Sequence, residues 1–448
     1  MALIPHWREV QAGACAVVAP DERLPWPQTA ALGVQHVIAM FGATVLAPIL
    51  MGFDPNVAIL MSGVGTLIFF FIVGGQVPSY LGSSFAFIGV VIAATGYAGP
   101  GPNANLGVAL GGIIACGALY TLIGLLVAAT DRRSRRSSFD GLEVEEIETG
   151  VAVHWIERLM PPVVTGAVVA VIGLNLAGIP IKNMAPTGFD TWMQAVTFVS
   201  VGLVAVYTRG MTQRLLILIG LIVASLVYAA LTNGLGLGKP IDLAKLAGAP
   251  WLGLPNFAAP VFDAKAMLLI APVAIILVAE NLGHIKAVSA MTGRDLDPFI
   301  GRAFIGDGVA TMVSGAAGGT GVTTYAENIG VMAATKIYST AMFVVAALIA
   351  ILLGFSPKFG ALIQAIPLAV MGGVSIVVFG LITVAGAKIW VDNKVDFADN
   401  TNLIVAAITL VLGTGDFTLR FGDFALGGIG TATFGAIALH ALLRRGRA

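Results

Sequence analysis

The sequence predicts an all-α polytopic membrane protein of about fourteen transmembrane segments, and three observations predict it. Of 448 residues, 57% are hydrophobic and 11% charged, with a mean hydropathy of +0.93, against roughly 25% charged residues in ordinary soluble domains. Residues 55 to 130 contain no Asp, Glu, Lys or Arg. Further uncharged runs cover 24 to 53, 159 to 181, 215 to 238, 337 to 357, 359 to 387 and 424 to 443, each long enough for a span of about 20 apolar residues. The apolar residues also come in continuous blocks, where a membrane barrel would alternate lipid-facing and lumen-facing positions. Helices are therefore the spanning elements.

Breaks at Gly, Pro and charge place the segments. In the first half they fall near 29 to 50, 57 to 74, 81 to 95, 106 to 128, 161 to 178, 191 to 208 and 214 to 232. A looser stretch, 233 to 264, leads to the second half, near 266 to 284, 303 to 317, 321 to 335, 338 to 355, 362 to 386, 401 to 414 and 425 to 443. Residues 1 to 28 lack the charged start, apolar core and cleavage site of a signal peptide and read as a cytoplasmic lead-in. Between the fourth and fifth segments lies a charged insert, 131 to 148, with four arginines ahead of four glutamates.

Charge assigns orientation. Alternating the loops puts Lys182, Lys239, Lys245, Lys265, Lys358 and Arg420 on one side and the other eighteen of the 24 Lys and Arg on the side of both termini. The positive-inside rule then makes the termini cytoplasmic and the number of spans even. Net charge is zero, so nothing points to nucleic acid. Cys15 and Cys116 offer neither a disulfide framework nor metal-ligand spacing and read as inert. No H-E-x-x-H, G-x-S-x-G or phosphate-binding loop is present, so the sequence does not predict an enzyme. A channel would conduct without saturable uptake.

The chain also resembles itself. PPVVTGAVVAVIGLNLAG (161 to 178) matches IPLAVMGGVSIVVFGLITVAG (366 to 386), with Pro162, Gly166 and Val168 recurring as Pro367, Gly372 and Val374; YLGSSFAFIGVV (80 to 91) corresponds loosely to TTYAENIGVMAA (323 to 334). Two halves of seven segments, an odd number, must be inverted relative to one another.

Two acids stand inside apolar segments, where an ionisable side chain marks a functional site by default. Glu280 lies four residues before His284, so both share one helical face and can share a proton or a water. The plainer readings are solvation at the interface beside Lys286, or a structural intramembrane pair. Glu327 lies in GGTGVTTYAENIGVM, bracketed by Gly318, Gly319, Gly321 and Gly330; its plainer reading is a helix-end carboxylate facing the cytoplasm. Glycine interrupts helix and admits close approach of backbone to a ligand. Ser83, Ser84 and Phe85 lie in the matching short segment of the first half. Two half-helices meeting near the midplane would aim amide donors and dipoles at one point. Such a pocket suits a planar ring with alternating N–H and C=O edges: carboxylates accept from ring N–H, amides donate to ring carbonyls, and Phe85 or Tyr325 packs on the ring face. Uracil and xanthine both have that pattern. Burial disfavours a charged carboxylate, so proton coupling follows.

His36 reads first as a packing histidine and second as a group that tunes the pocket. His6, His154 and His440 draw no functional reading, and Asp307 and Asp416 sit at segment edges and read as interfacial.

At QHVIAMFGATVLAPIL, YLGSSFAFIG, VAENLGH and TTYAENIGVM the chain resembles the nucleobase–ascorbate transporter (nucleobase:cation symporter-2) family, and within it the uracil permeases. VVAPDERLPWPQT, WIERLMPPVVTGAVV, GRAFIGDG and LLGFSPKFGALI resemble a bacterial pyrimidine-utilisation branch. The resemblance implies two inverted seven-segment repeats, with short strands in segments 3 and 10. It implies a core domain (29–128 and 265–355) and a gate domain (161–232 and 356–443). These would be joined by a charged cytoplasmic loop (129–160) and an extracytoplasmic loop (233–264), with cytoplasmic ends 1–28 and 444–448. It further implies proton-coupled import of uracil or a related pyrimidine, the alternative being a purine or xanthine permease of the same fold. The substrate would lie between Glu280, Glu327 and the amides of Phe85 and Ala326, with Tyr325 and Ser84 nearby. Glu280, His284 and Glu327 would couple protons, and His36, Ser375 and Phe379 would be accessory. A bacterial inner-membrane location, no cofactor or metal beyond the proton gradient, and a homodimer contacting through gate surfaces are implied as well. Three departures stand out: Ala326 where uracil permeases have glycine, Phe379 in place of a tyrosine, and the insert at 131 to 148.

Overall fold

The computed structural model describes residues 6–11, 17–97, 99, 101–137, 158–209, 213, 215–421 and 424–445. Cys15, His154 and most of the charged insert lie outside the described residues.

A short parallel pair, β1 (Arg8–Glu9) with β2 (Glu22–Arg23), precedes the helices α1 (Trp26–Met51) and α2 (Pro55–Val73). Strand β3 (Leu81–Ser83), the half-length α3 (Phe87–Thr95) and the long α4 (Leu106–Ser137) follow. Next come α5 (Pro162–Leu176), its continuation α6 (Gly178–Asn183), α7 (Gly188–Tyr207) and α8 (Leu216–Ala229), which runs into a π-helical turn, Ala230–Gly234. After the five-residue α9 (Ala244–Gly248) the second half begins with α10 (Ala264–Ile270), α11 (Val273–Thr292) and α12 (Ile300–Ala316). Strand β4 (Val322–Thr324), the half-length α13 (Ala326–Thr335), α14 (Thr340–Gly354), α15 (Pro357–Gln364), α16 (Leu368–Asp392) and α17 (Asn400–Thr414) come next. The hairpin β5 (Leu419–Phe421) and β6 (Phe424–Leu426) and the helix α18 (Gly428–Arg445) complete the chain.

The breaks follow from local chemistry. Asp54 caps α2, its side chain accepting from Asn56 N–H at 2.8 Å, with Pro55 at the first helical position. Gly74 ends that helix and Gly96 ends α3, both in the left-handed conformation. Pro272 separates α10 from α11, since its ring removes a donor and crowds the preceding turn.

Among the described residues, eight spans are long and apolar enough to cross a membrane, or nine if α14 and α15, bent by 82°, are one. The rest of the expected fourteen are helices of 18 residues or fewer. Length and composition alone thus give eight or nine crossings.

The helices associate in two groups. One joins α1, α2, α4, α12 and α14; the other joins α5, α7, α8, α16, α17 and α18. Each is sealed by small residues, which let backbones approach where lipid offers no hydrophobic drive for association. A Cβ on Gly308 of α12 would stand 2.6 Å from Thr121 N of α4. One on Gly386 of α16 would stand 2.4 Å from Ala170 N of α5. The helices α5 and α16 carry the stretches whose likeness suggested an internal repeat. The other repeated pair, β3 and β4, also meets, antiparallel, with Leu81 opposite Thr324, Gly82 opposite Thr323 and Ser83 opposite Val322. Antiparallel contact between equivalent strands is what inversion of the two halves requires.

Candidate functional site

The two-stranded crossing of β3 and β4 positions everything near it. The half-helices α3 and α13 leave it in opposite directions, so each presents its N-terminal end near the crossing. The residues alone suggest half-helices meeting, and the resemblance implies short strands in segments 3 and 10; the strands are what meet, and the helices start just beyond them. The ladder extends outward, with Ser84 N–H donating to Gly321 O at 2.9 Å and Tyr325 N–H to Tyr80 O at 3.0 Å. The amides of Phe85 and Ala326, at the starts of the two half-helices, have no hydrogen-bond partner among the described residues. Ala326 is exposed, Phe85 buried.

Glu327 follows Ala326 in the first turn of α13, where the helix dipole favours a negative charge. Glu280 lies on α11, which packs against α13. Both acids are half-buried, and among the described residues neither forms an ion pair with Lys or Arg. One helical turn on from Glu280, His284 Nδ1 lies 2.8 Å from Thr324 Oγ1 of β4. Thr324 Oγ1 also lies 3.4 Å from Asn281 Oδ1, so the hydroxyl links the imidazole to the amide.

Other predicted residues fall around this crossing rather than in it. Tyr325 is buried with its hydroxyl donating to Ser83 O at 2.9 Å and accepting from Thr44 at 3.2 Å. It braces the strands from behind. Ser84 Oγ accepts from Ala86 N–H at 3.3 Å, a local turn bond. His36 is fully buried on α1, 4.6 Å centroid to centroid from Phe343, and accepts from Asn328 Nδ2 at 3.0 Å. It anchors the residue after Glu327. Ser375 donates to Met371 O at 2.8 Å within its own helix. Phe379 meets Phe85 edge to face, centroids 5.9 Å apart, so one aromatic pair joins the two helix groups beside the crossing.

Asp307 was expected at a segment edge. It is instead fully buried in the middle of α12, where Asn281 Nδ2 donates to it at 2.8 Å and Thr323 Oγ1 at 3.5 Å. Asn281 Nδ2 also reaches Tyr120 OH at 2.9 Å. Asn281, Tyr120 and Thr324 went unnoticed in the sequence, although Asn281 stands beside Glu280. Asp416 does lie at a helix end, exposed, accepting from Gly428 N–H at 2.9 Å.

A cavity of about 900 Å³ opens between the two helix groups, lined by Leu50, Gly89, Asn175, Lys182, Asp416 and Ile429 among others. Gly89 is one turn beyond Phe85, so the cavity ends close to the crossing; Glu280 and Glu327 do not line it. No group of three or more His, Cys, Asp or Glu among the described residues is placed to hold a metal ion.

Comparison with known proteins agrees with this architecture. A family model described as "Permease family" matches residues 27–136 and 147–421, passing over part of the arginine–glutamate insert. The chain is 64% identical over 442 residues to "Putative pyrimidine permease RutG" of Escherichia coli (strain K12), covering 98% of this chain and 95% of that protein. It is 38% identical over 436 residues to "Uracil permease" of Paenibacillus larvae subsp. larvae, covering 94% and 96%. Among solved structures, the transmembrane domain of the cyanobacterium bicarbonate transporter BicA superposes with a TM-score of 0.60 at 17% identity, over 87% of this chain and 96% of that one. The overall structure of SLC26A9 superposes with a TM-score of 0.61 at 13% identity over 93% of this chain; the chain spans 65% of that longer protein. These two likenesses concern fold alone.

Proposed function

Since the chain belongs to the permease family, the nucleobase–ascorbate transporters whose motifs it carries, we propose that it imports uracil or a related pyrimidine together with protons. The family is one of transporters, not enzymes. The relatives named pyrimidine permease and uracil permease support the substrate class. The observation that carries the reading is the grouping, at one strand crossing, of two carboxylates without cationic partners and two unpartnered amides among the described residues. Glu280 and Glu327 offer acceptors for ring N–H groups. Phe85 and Ala326 N–H offer donors for ring carbonyls, reinforced by the dipoles of the half-helices. His284 takes or returns a proton one turn from Glu280. The group of α1, α2, α4, α12 and α14 acts as the core and the other group as the gate. The core rocks against the gate in alternating access, and the Phe85–Phe379 contact parts and re-forms with each cycle. Both termini lie in the cytoplasm of a bacterial cell, and two chains associate through gate surfaces.

The test is uptake of labelled uracil into proteoliposomes under an imposed pH gradient. Acid outside should drive accumulation, and dissipating the gradient should abolish it. Glu280→Gln and Glu327→Gln, which keep shape and lose the titratable group, should each end proton-driven uptake while leaving the protein folded. Unchanged uptake in either variant would sink the site assignment. Competition by xanthine as strong as by uracil would shift the substrate to the bicyclic purines.

A further inference from the structure

Of the described residues ahead of α1, 7–9 and 17–24 are built into the fold. Val18 is fully buried and bridges the chain just past α13: its N–H donates to Lys336 O at 3.1 Å and its O accepts from Tyr338 N–H at 2.8 Å. Pro20 O accepts from Thr340 N–H at 3.1 Å and from Thr340 Oγ1 at 2.9 Å. Trp7 Nε1–H donates to that same hydroxyl oxygen at 2.9 Å, and its ring lies 5.9 Å from Phe70 of α2. Asp21 pairs with Arg294, two residues past the end of α11. The strap is closed on itself by β1 and β2 and by the Arg8–Glu22 and Arg23–Glu9 ion pairs.

Its position matters because of what α11 and α13 carry. Glu280 and His284 stand on α11 and Glu327 on α13, and the strap grips the chain just beyond the C-terminal end of each. The helix α13 has only ten residues, below the length at which a helix holds its own shape. It stops at Lys336 in the left-handed conformation, φ 55°, and the chain beyond is buried at Tyr338, Ser339 and Thr340. Buried backbone groups need partners, and there the strap supplies them to Lys336 O, Tyr338 N–H and Thr340 N–H. The Asp21–Arg294 pair is partly exposed, with side-chain exposures of 59% and 38%, and such pairs add little strength. Its use is register. Burial opposes ionisation of Asp21, yet the hydrogen bond from Arg294 holds its carboxyl below the usual range.

We propose that residues 6–11 and 17–24 are a positioning element that ties the ends of α11 and α13 together and so sets the spacing of the Glu280–Glu327 pair. This rests on the reading of that pair as the nucleobase site. The test uses the full chain in proteoliposomes, with uracil uptake and equilibrium uracil binding to purified protein measured side by side. Val18→Pro removes the donor to Lys336 O. Asp21→Arg and Arg294→Asp each break the pair, and together they restore it reversed. Val18→Pro and each single reversal should raise KM and Kd about threefold to tenfold with Vmax within about twofold, the signature of lost binding. The double reversal should return both to within about twofold of wild type. If Val18→Pro fails to fold, the reversal series decides alone. Single reversals with unshifted KM and Kd, or with less folded protein at unchanged affinity, overturn the proposal, as does a double reversal that rescues nothing. A wild-type protein that neither binds nor carries uracil overturns the functional reading instead.

Discussion

Gly82 is a residue at which the strand crossing leaves no room for a single methyl group. It sits opposite Thr323 in the β3–β4 ladder, and a Cβ there would stand 2.4 and 2.5 Å from Tyr325 Cζ and Cε2 and 2.7 Å from Thr44 Oγ1. Non-bonded carbons rest at about 3.5–4.0 Å, so in Gly82→Ala the ring must retreat by roughly 1 Å. The tyrosine hydroxyl then leaves both Ser83 O, at 2.9 Å, and Thr44 Oγ1, at 3.2 Å. Overpacking costs about 1–3 kcal/mol and a stranded buried hydroxyl about 1–3 kcal/mol, so the expected loss is about 2–6 kcal/mol. The assay is thermal unfolding of detergent-purified protein followed by intrinsic fluorescence, with uracil uptake in parallel. Tyr325→Phe, which loses only the hydroxyl, should fall between wild type and Gly82→Ala. Adding Tyr325→Leu to Gly82→Ala, which removes the clashing ring atoms, should recover part of the stability. The reasoning fails if Gly82→Ala melts and transports like wild type, or if the double variant loses the full sum of the two single losses.

Two further substitutions probe the surroundings of the crossing. Phe379→Tyr adds a hydroxyl to a ring that is 1% exposed and edge-on to Phe85; without a partner there it should destabilise by about 1–3 kcal/mol and lower the melting temperature at unchanged uracil KM. Asp307→Ala withdraws the acceptor used by Asn281 and Thr323 and should lower the melting temperature more than Asp307→Asn, which keeps an acceptor oxygen. Equal melting of the two variants would mean that the carboxylate bonds do not hold α11 and β4 in place.

The polytopic class was legible because the penalty for charge in lipid acts on each segment separately. A charge-free run such as 55 to 130 declares itself without knowledge of its neighbours, and so does the end of α2 at Gly74, whereas the break at Pro272 falls inside the single segment expected over 266 to 284. Glu280 and Glu327 stood out for the same reason. Glycine runs at 318 to 321 marked a broken segment, but that the break is a strand paired across the two halves depends on residues about 240 apart, outside the reach of any local pattern. Tyr325 reads in the sequence as a ring packing on the substrate, and only the direction of its side chain shows the hydroxyl bonded to Ser83 O and Thr44 Oγ1. Asp307 was misread because one acid in an otherwise apolar stretch reads the same at an interface and in a core.

The sequence by itself determined that this chain lives in a membrane, where its helices break, and which acids are too costly to be idle, since desolvation and backbone geometry are paid residue by residue. Only the tertiary structure decided how those pieces meet. The β3–β4 ladder, the Asn281–Asp307 contact, the Phe85–Phe379 edge and the strap across α11 and α13 join positions far apart in the chain, and hydrogen bonds and packing between such positions exist only once the two halves are folded together.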